Sequence, residues 1–136
     1  MEQTLILIKP DAVHDDVWLN IIKTYEARGL QIVETRIMSP MPLALAQKLY
    51  AEHAGKDFYK KLLQHMTDGT TIALKVVGDN AIALAREING ATNPSEALPG
   101  TIRYEYGSRI FPPANAVHAS AHAADAKREL ALFFSK

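Results

Sequence analysis

No cysteine occurs in the chain. A disulfide framework and thiolate metal sites are therefore excluded, and the absence suits a reducing compartment. Excess charge of either sign is also missing. Lys plus Arg equals Asp plus Glu at 15 each, so net charge supplies no general attraction to nucleic acid. No apolar run approaches the roughly 20 residues a membrane span needs. The run Leu5-Ile6-Leu7-Ile8 is far too short, and Met1-Glu2-Gln3 lacks the basic start of a secretory signal. Repeats, low-complexity tracts and linkers are absent as well. The expectation is a soluble cytoplasmic protein with no membrane partner and no specific nucleic-acid partner.

What is present is enough for a core. With 136 residues and 48% hydrophobic content, residues 1–136 read as a single domain. Residues 4–8 form a continuous apolar run ended by Lys9-Pro10-Asp11, which predicts a central strand covered on both faces. Pro10 ends the ladder because it has no N–H, leaving Lys9 at the sheet's rim. Asp15 or Asp16 is placed to cap a helix to about residue 28, with Val17, Ile21 and Tyr25 as its buried stripe and Gly29 closing it. A strand is expected at 30–38. A helical hairpin follows at about 43–53 and 57–67, with Asp57 capping its second arm. Another strand is expected at 71–77 and a helix at 80–88. Residues 91–114 are irregular apart from a helical turn at 102–106, and long irregular segments in compact domains are usually functional. A strand at 115–120 and a helix at 123–134 complete the chain. Setting aside the hairpin and the last helix leaves β-α-β-β-α-β. The predicted fold is an α+β, ferredoxin-like antiparallel sheet with helices on one face, plus a helical hairpin insertion and a C-terminal helix.

The segment Asn115-Ala116-Val117-His118-Ala119-Ser120 holds the most distinctive titratable group. Alternation places His118 and Ser120 on one face, with Ala116 beside them. Small neighbours leave the imidazole accessible, so it can accept a transferred group or simply bond to backbone. Glu129, on the last helix, can reach one ring nitrogen and leave the other free, or it can point into solvent. Lys9, Arg86, Thr92, Arg103 and Arg109 lie at element ends and in the irregular loop. Such cations and hydroxyls suit a phosphate chain. There is no G-x-x-x-x-G-K-[ST] loop, so a bound nucleotide would have its phosphates held by side chains. Phe58 and Leu62 can grip a flat base or belong to the core. An RNA-binding sheet would need aromatic residues on its face, and these strands carry aliphatic ones.

Four segments in order resemble the nucleoside diphosphate kinase family across essentially the whole chain. They are Leu7-Ile8-Lys9-Pro10-Asp11-Ala12-Val13, Thr92-Asn93-Pro94, Pro99-Gly100-Thr101-Ile102-Arg103 and Asn115-Ala116-Val117-His118-Ala119-Ser120. The resemblance implies transfer of the γ-phosphate of a nucleoside triphosphate to a nucleoside diphosphate, through a phosphohistidine and with ping-pong kinetics. It implies that His118 is the nucleophile and that Glu129 orients it. Lys9 holds the γ-phosphate, and Arg86, Thr92 and Arg103 clamp the phosphates. Tyr50 stands near the reacting ring, Asn115 meets the sugar, Phe58 stacks on the base and Leu62 lies at its edge. Mg2+ arrives on the nucleotide phosphates rather than in a protein cage. The implied partners are nucleoside di- and triphosphates and further copies of the chain, with strand 30–38 a candidate for edge pairing. The chain departs from the family pattern at Ala12, Lys56, Ala119, Ala121, His122 and the loop Phe111-Pro112-Pro113-Ala114. The departures at Ala121 and in the Pro-Pro loop motivate the alternative, a non-catalytic ferredoxin-like module binding a nucleotide as regulator.

Overall fold

The computed structural model describes residues 1–108 and 113–134. Arg109, and Phe111 and Pro112 of the Phe111-Pro112-Pro113-Ala114 loop, thus lie outside the described residues. Four strands form one antiparallel sheet in the order β2-β3-β1-β4. They are β1 (Glu2–Ile8), β2 (Gln31–Met38), β3 (Thr71–Gly78) and β4 (Val117–Ala119). Strand β1 is central, pairing with β3 on one side and β4 on the other.

The apolar run behaves as its composition dictates. Leu5, Ile6, Leu7 and Ile8 are all fully buried, which stabilises the fold by about 1.5–3 kcal/mol per side chain. Ile6 and Ile8 face α2 (Trp18–Ala27) and α5 (Ala81–Asn89), packing with Ile21, Tyr25, Ala85 and Ile88. Leu5 and Leu7 face the other way. There they meet α3 (Leu43–Leu49), α4 (Tyr59–Met66) and α7 (Ala123–Phe134) through Leu49, Leu62, Met66 and Phe133. The two helices of the ferredoxin-like core therefore cover one face. The hairpin and terminal helix cover the other.

Several local expectations change. Pro10 opens a short helix, α1 (Pro10–His14), where a missing N–H has no consequence. Asp16 then takes a left-handed turn at φ 61°, and Val17 rather than either aspartate occupies the cap of α2. Phe58, not Asp57, stands before α4, with no side-chain cap. Gly29 closes α2 at φ 97°, as its lack of Cβ allows. Thr101 caps α6 (Ile102–Tyr106), accepting from the Tyr104 N–H. The predicted strand at 115–120 shortens to β4 because Ala116 has φ 73°. That reversal puts Ala116 among the core residues of the α2 and α5 face, not beside His118.

Candidate active site

Pairing of His118 with Leu7 turns its imidazole toward α7. Glu129 meets it there. The glutamate is 4% exposed, so its helix position is not a solvated one. Its Oε1 lies 2.9 Å from His118 Nε2 and accepts from Ser120 Oγ at 2.8 Å. Arg128 reaches Oε2 at 3.4 Å and also donates to the Lys48 and Leu49 carbonyls at the end of α3. Burial alone would push the Glu129 carboxyl up. The His118 and Ser120 hydrogen bonds and the Arg128 charge outweigh it and hold the value below the usual glutamate range. An ionised carboxylate only accepts, so in the neutral ring Nε2 carries the proton and Nδ1 keeps its lone pair. The side chain is 20% exposed, which leaves that lone pair an approach.

Lys9, at the end of β1, is almost wholly buried, with Nζ 3.3 Å from the Pro113 carbonyl. Burial and the neighbouring Arg103 charge bring its ammonium down to about 8, against the opposing pull of Asp11. Arg103 is buried as well. Its two terminal nitrogens donate to the Gly90 and Val117 carbonyls at 2.8 Å each. Burial is the main cause that lowers its value to about 10, with Arg86 adding to it. Two of its five N–H donors are engaged in this way. Lys9, Arg103 and Arg86 thus form a chain of mutually repelling cations, an arrangement that favours an anion. Arg86 is exposed on α5. It also lines an open cavity of about 530 Å3 with Ala121 and His122, which adjoins this cluster without including His118. Asn115 donates to the Thr92 carbonyl at 2.9 Å, tying the segment before His118 to the loop carrying Thr92.

Tyr50 lies edge-on to His118, with ring centres 6.0 Å apart. Burial and the nearby Glu129 push its phenol far up, so it stays neutral. Rings continue outward: Tyr50 stacks on His53 at 6.3 Å, and His53 meets Phe58 at 5.2 Å. Phe58 is 48% exposed and Leu62 is buried one turn behind it. Phe58 is therefore not a core residue. Lys56 Nζ sits 5.7 Å from the Phe58 ring centre and bonds His53 Nδ1 at 3.2 Å. Buried polar atoms ordinarily have partners. Here Tyr50 Oη, Arg103 Nε and Asn115 Oδ1 have none among the described residues.

A model of the nucleoside diphosphate kinase family matches residues 2–136. A nucleoside diphosphate kinase of Staphylococcus epidermidis is 44% identical, over 99% of this chain and 89% of its own length. One from Methanococcus maripaludis is 40% identical over the full length of both. The crystal structure of the Encephalitozoon cuniculi enzyme superposes with a TM-score of 0.94 at 29% identity, over 100% of this chain and 90% of that one. The Halobacterium salinarum enzyme, solved in complex with CDP, gives 0.93 at 35% identity, over 99% and 88%. The chain belongs to the nucleoside diphosphate kinase family. It is a phosphotransferase that binds nucleoside di- and triphosphates, and nothing favours the non-catalytic module.

Kinases of nucleotides generally use a divalent metal. Among the described residues no three His, Asp or Glu side chains converge to hold one. The ten residues to which the resemblance gives roles fall within the described part, and Arg109 does not. Lys9, Arg103, Asn115, Tyr50, His118 and Glu129 are buried or nearly so. Arg86, Thr92 and Phe58 are exposed, with Leu62 behind the last. Sequence reasoning left Ser120 without a hydrogen-bonding role, set His53 and His65 aside as helix histidines at no metal-ligand spacing, and gave Arg128 and Asp11 no role of their own. Only Asp11 carried a signal, as the third residue of Lys9-Pro10-Asp11.

Proposed function

We propose that His118 carries the phosphoryl group between nucleotides. The observation that supports this most is the buried Glu129 carboxylate taking both His118 Nε2 and Ser120 Oγ on one oxygen. In this reading Nδ1 attacks the γ-phosphorus of a nucleoside triphosphate. The bond to the bridging oxygen breaks, and the diphosphate leaves with the electron pair. A second nucleoside diphosphate then attacks the phosphohistidine through a terminal β-phosphate oxygen, which restores the free imidazole. Phosphoryl transfer needs positioning and charge neutralisation more than covalent help from the protein. Lys9, Arg86 and Arg103 supply the charge, with Thr92 as a hydroxyl donor. The sugar hydroxyl donates to Asn115 Oδ1, and the neutral Tyr50 phenol stands beside the ring. Phe58 stacks on the base with Leu62 at its edge, which tolerates every base because each has a π-face. Magnesium enters as part of the nucleotide complex, bound to its phosphates. Residues 1–136 act as one domain in this reading. The enzyme works in the cytoplasm, where its substrates are, as a homo-oligomer paired through the edge strand β2.

Incubation with γ-labelled ATP should leave an acid-labile, base-stable label on the protein, and ATP plus GDP should yield GTP. Equal labelling of the His118→Ala protein would sink the mechanism. Nucleotide-dependent thermal stabilisation without turnover would favour a binding module instead.

A further inference from the structure

The turn that delivers His118 is held from two sides by one tripeptide. Ala116 is fully buried at φ 73°. Across it the Val117 N–H donates to the Asn115 carbonyl at 2.9 Å. A three-residue turn of this hand is rare and strained for any residue with a side chain. Such conformations persist only where the surroundings over-determine them. The Lys9 N–H donates to the Ala116 carbonyl at 2.8 Å. The Ala116 N–H donates to Asp11 Oδ2 at 3.0 Å.

The other Asp11 oxygen is also engaged. Oδ1 lies 2.9 Å from His65 Nε2, with the two side chains 15% and 12% exposed. His65 projects from α4, the helix that carries Leu62 and follows Phe58. Both residues also line a cavity of about 390 Å3 with Asp68 and Thr70. An aspartate in the first turn of a helix commonly serves that helix's own N–H groups. Asp11 lies in the first turn of α1. Its two oxygens, however, are turned to Ala116 and His65.

We propose that Asp11, held by His65, is a positioning residue for phosphoryl transfer. It fixes the Ala116 turn, hence the placement of His118, and it joins that turn to the helix beside the base. The proposal rests on the reading of His118 as the nucleophile. Its physical content is short-range. His118 is two residues beyond the strained position, so relaxation of Ala116 toward an ordinary φ would re-aim β4 at its start. A misplacement of about 1 Å costs about 10²-fold in rate. His65 keeps the carboxylate from rotating away from the buried Ala116 N–H.

The test is single-turnover phosphorylation by γ-labelled ATP, with ADP affinity and melting temperature measured alongside. Asp11→Ala is expected to slow labelling about 10²-fold while leaving ADP affinity unchanged. His65→Leu should slow it less. His65→Gln, whose amide N–H can still donate to Asp11, should restore it. Adding Ala116→Gly to Asp11→Ala should recover part of the rate, because glycine accepts positive φ without being held there. A residue serving stability alone would show no such rescue. If Asp11→Ala does not fold, the leucine and glutamine variants of His65 decide the question. Wild-type labelling rates in His65→Leu and Asp11→Ala would overturn the proposal, as would a loss confined to melting temperature or ADP affinity. His118→Ala separates the two failures. Label on that variant refutes the nucleophile, whereas label lost there but unchanged in the Asp11 and His65 variants refutes only the positioning role.

Discussion

Glu129 Oε1 lies 2.9 Å from His118 Nε2 within a largely buried pocket, and that single contact fixes which ring nitrogen stays basic. Glu129→Ala should remove both the orientation and the tautomer preference. Phosphorylation should fall roughly 10- to 100-fold, the range that outer partners of working histidines command in metal sites. Glu129→Gln should lose less, because its carbonyl oxygen can still accept from Nε2. The carboxylate also links stability to pH. Its folded value is depressed, so its contribution is complete above the ordinary glutamate value and is lost as pH falls through the lower folded one. Melting curves taken from neutral pH downward should show the wild type losing its advantage over Glu129→Gln in the acid range. An advantage independent of pH would contradict this.

Lys9 shares the sign of that pH dependence, but for an ammonium a depressed value marks a cost rather than a contribution. Its folded value of about 8 lies below the ordinary 10.5. Between those values the unfolded chain binds more protons than the folded one, so stability attributable to Lys9 rises with pH across that window. Keeping an ammonium here at neutral pH is thus a cost to the fold, offset when a phosphate arrives. Lys9→Met should melt higher than wild type at pH 7 without nucleotide. It should also phosphorylate about 10²- to 10³-fold more slowly, as when one donor to developing charge is removed. The melting difference should shrink as pH rises through the window. A variant less stable at every pH would show that the Pro113 contact outweighs desolvation.

The contrast between these two residues shows what could be read in the chain. Lys9 was legible because a continuous apolar run ending at Pro10 fixes where a central strand stops. His118 was legible only in company, since Ala116 breaks the alternation that would have set its face. Glu129 is separated from His118 by a turn whose geometry no spacing rule supplies, and its burial depends on α3 and β1 packing around α7. Phe58 lies in a stripe with Leu62 and Met66, a spacing that suits the core as well as a base. It escapes because it stands just before α4, beyond the arm that packs. The Asp11–His65 contact spans 54 residues and joins two segments that share no pattern.

Phe58→Ala should separate binding from folding. The ring is half exposed and touches His53 and Lys56, so truncation opens no core cavity. Base stacking is worth about 1–3 kcal/mol per base by alanine substitution. KM should therefore rise by a similar factor for ADP, GDP and CDP, with the melting temperature nearly unchanged. Leu62→Ala should lower the melting temperature, because a buried leucine so truncated costs about 2–5 kcal/mol. A Phe58→Ala effect confined to one base would mean that edge contacts, not stacking, govern recognition.

Among the described residues strand β2 pairs only with β3, which leaves a row of backbone donors and acceptors on its other side without a strand partner there. Such edges are usually protected by charge, brevity or a partner. This one carries Ile37 at 66% and Val33 at 44% exposure. Arg36 does not shield the edge, because its guanidinium is turned back to the Phe133 carbonyl at 3.0 Å. An isologous pairing of two β2 strands would set the same apolar residues against each other across a two-fold axis. Replacing Ile37 by lysine places like charges across that axis in both copies. The Ile37→Lys protein should therefore show a smaller mass by light scattering than wild type at equal concentration. Its labelling by ATP should persist, since His118, Glu129 and Lys9 all belong to one chain. A wild type of monomer mass, or an unchanged mass in the variant, would refute pairing through this edge.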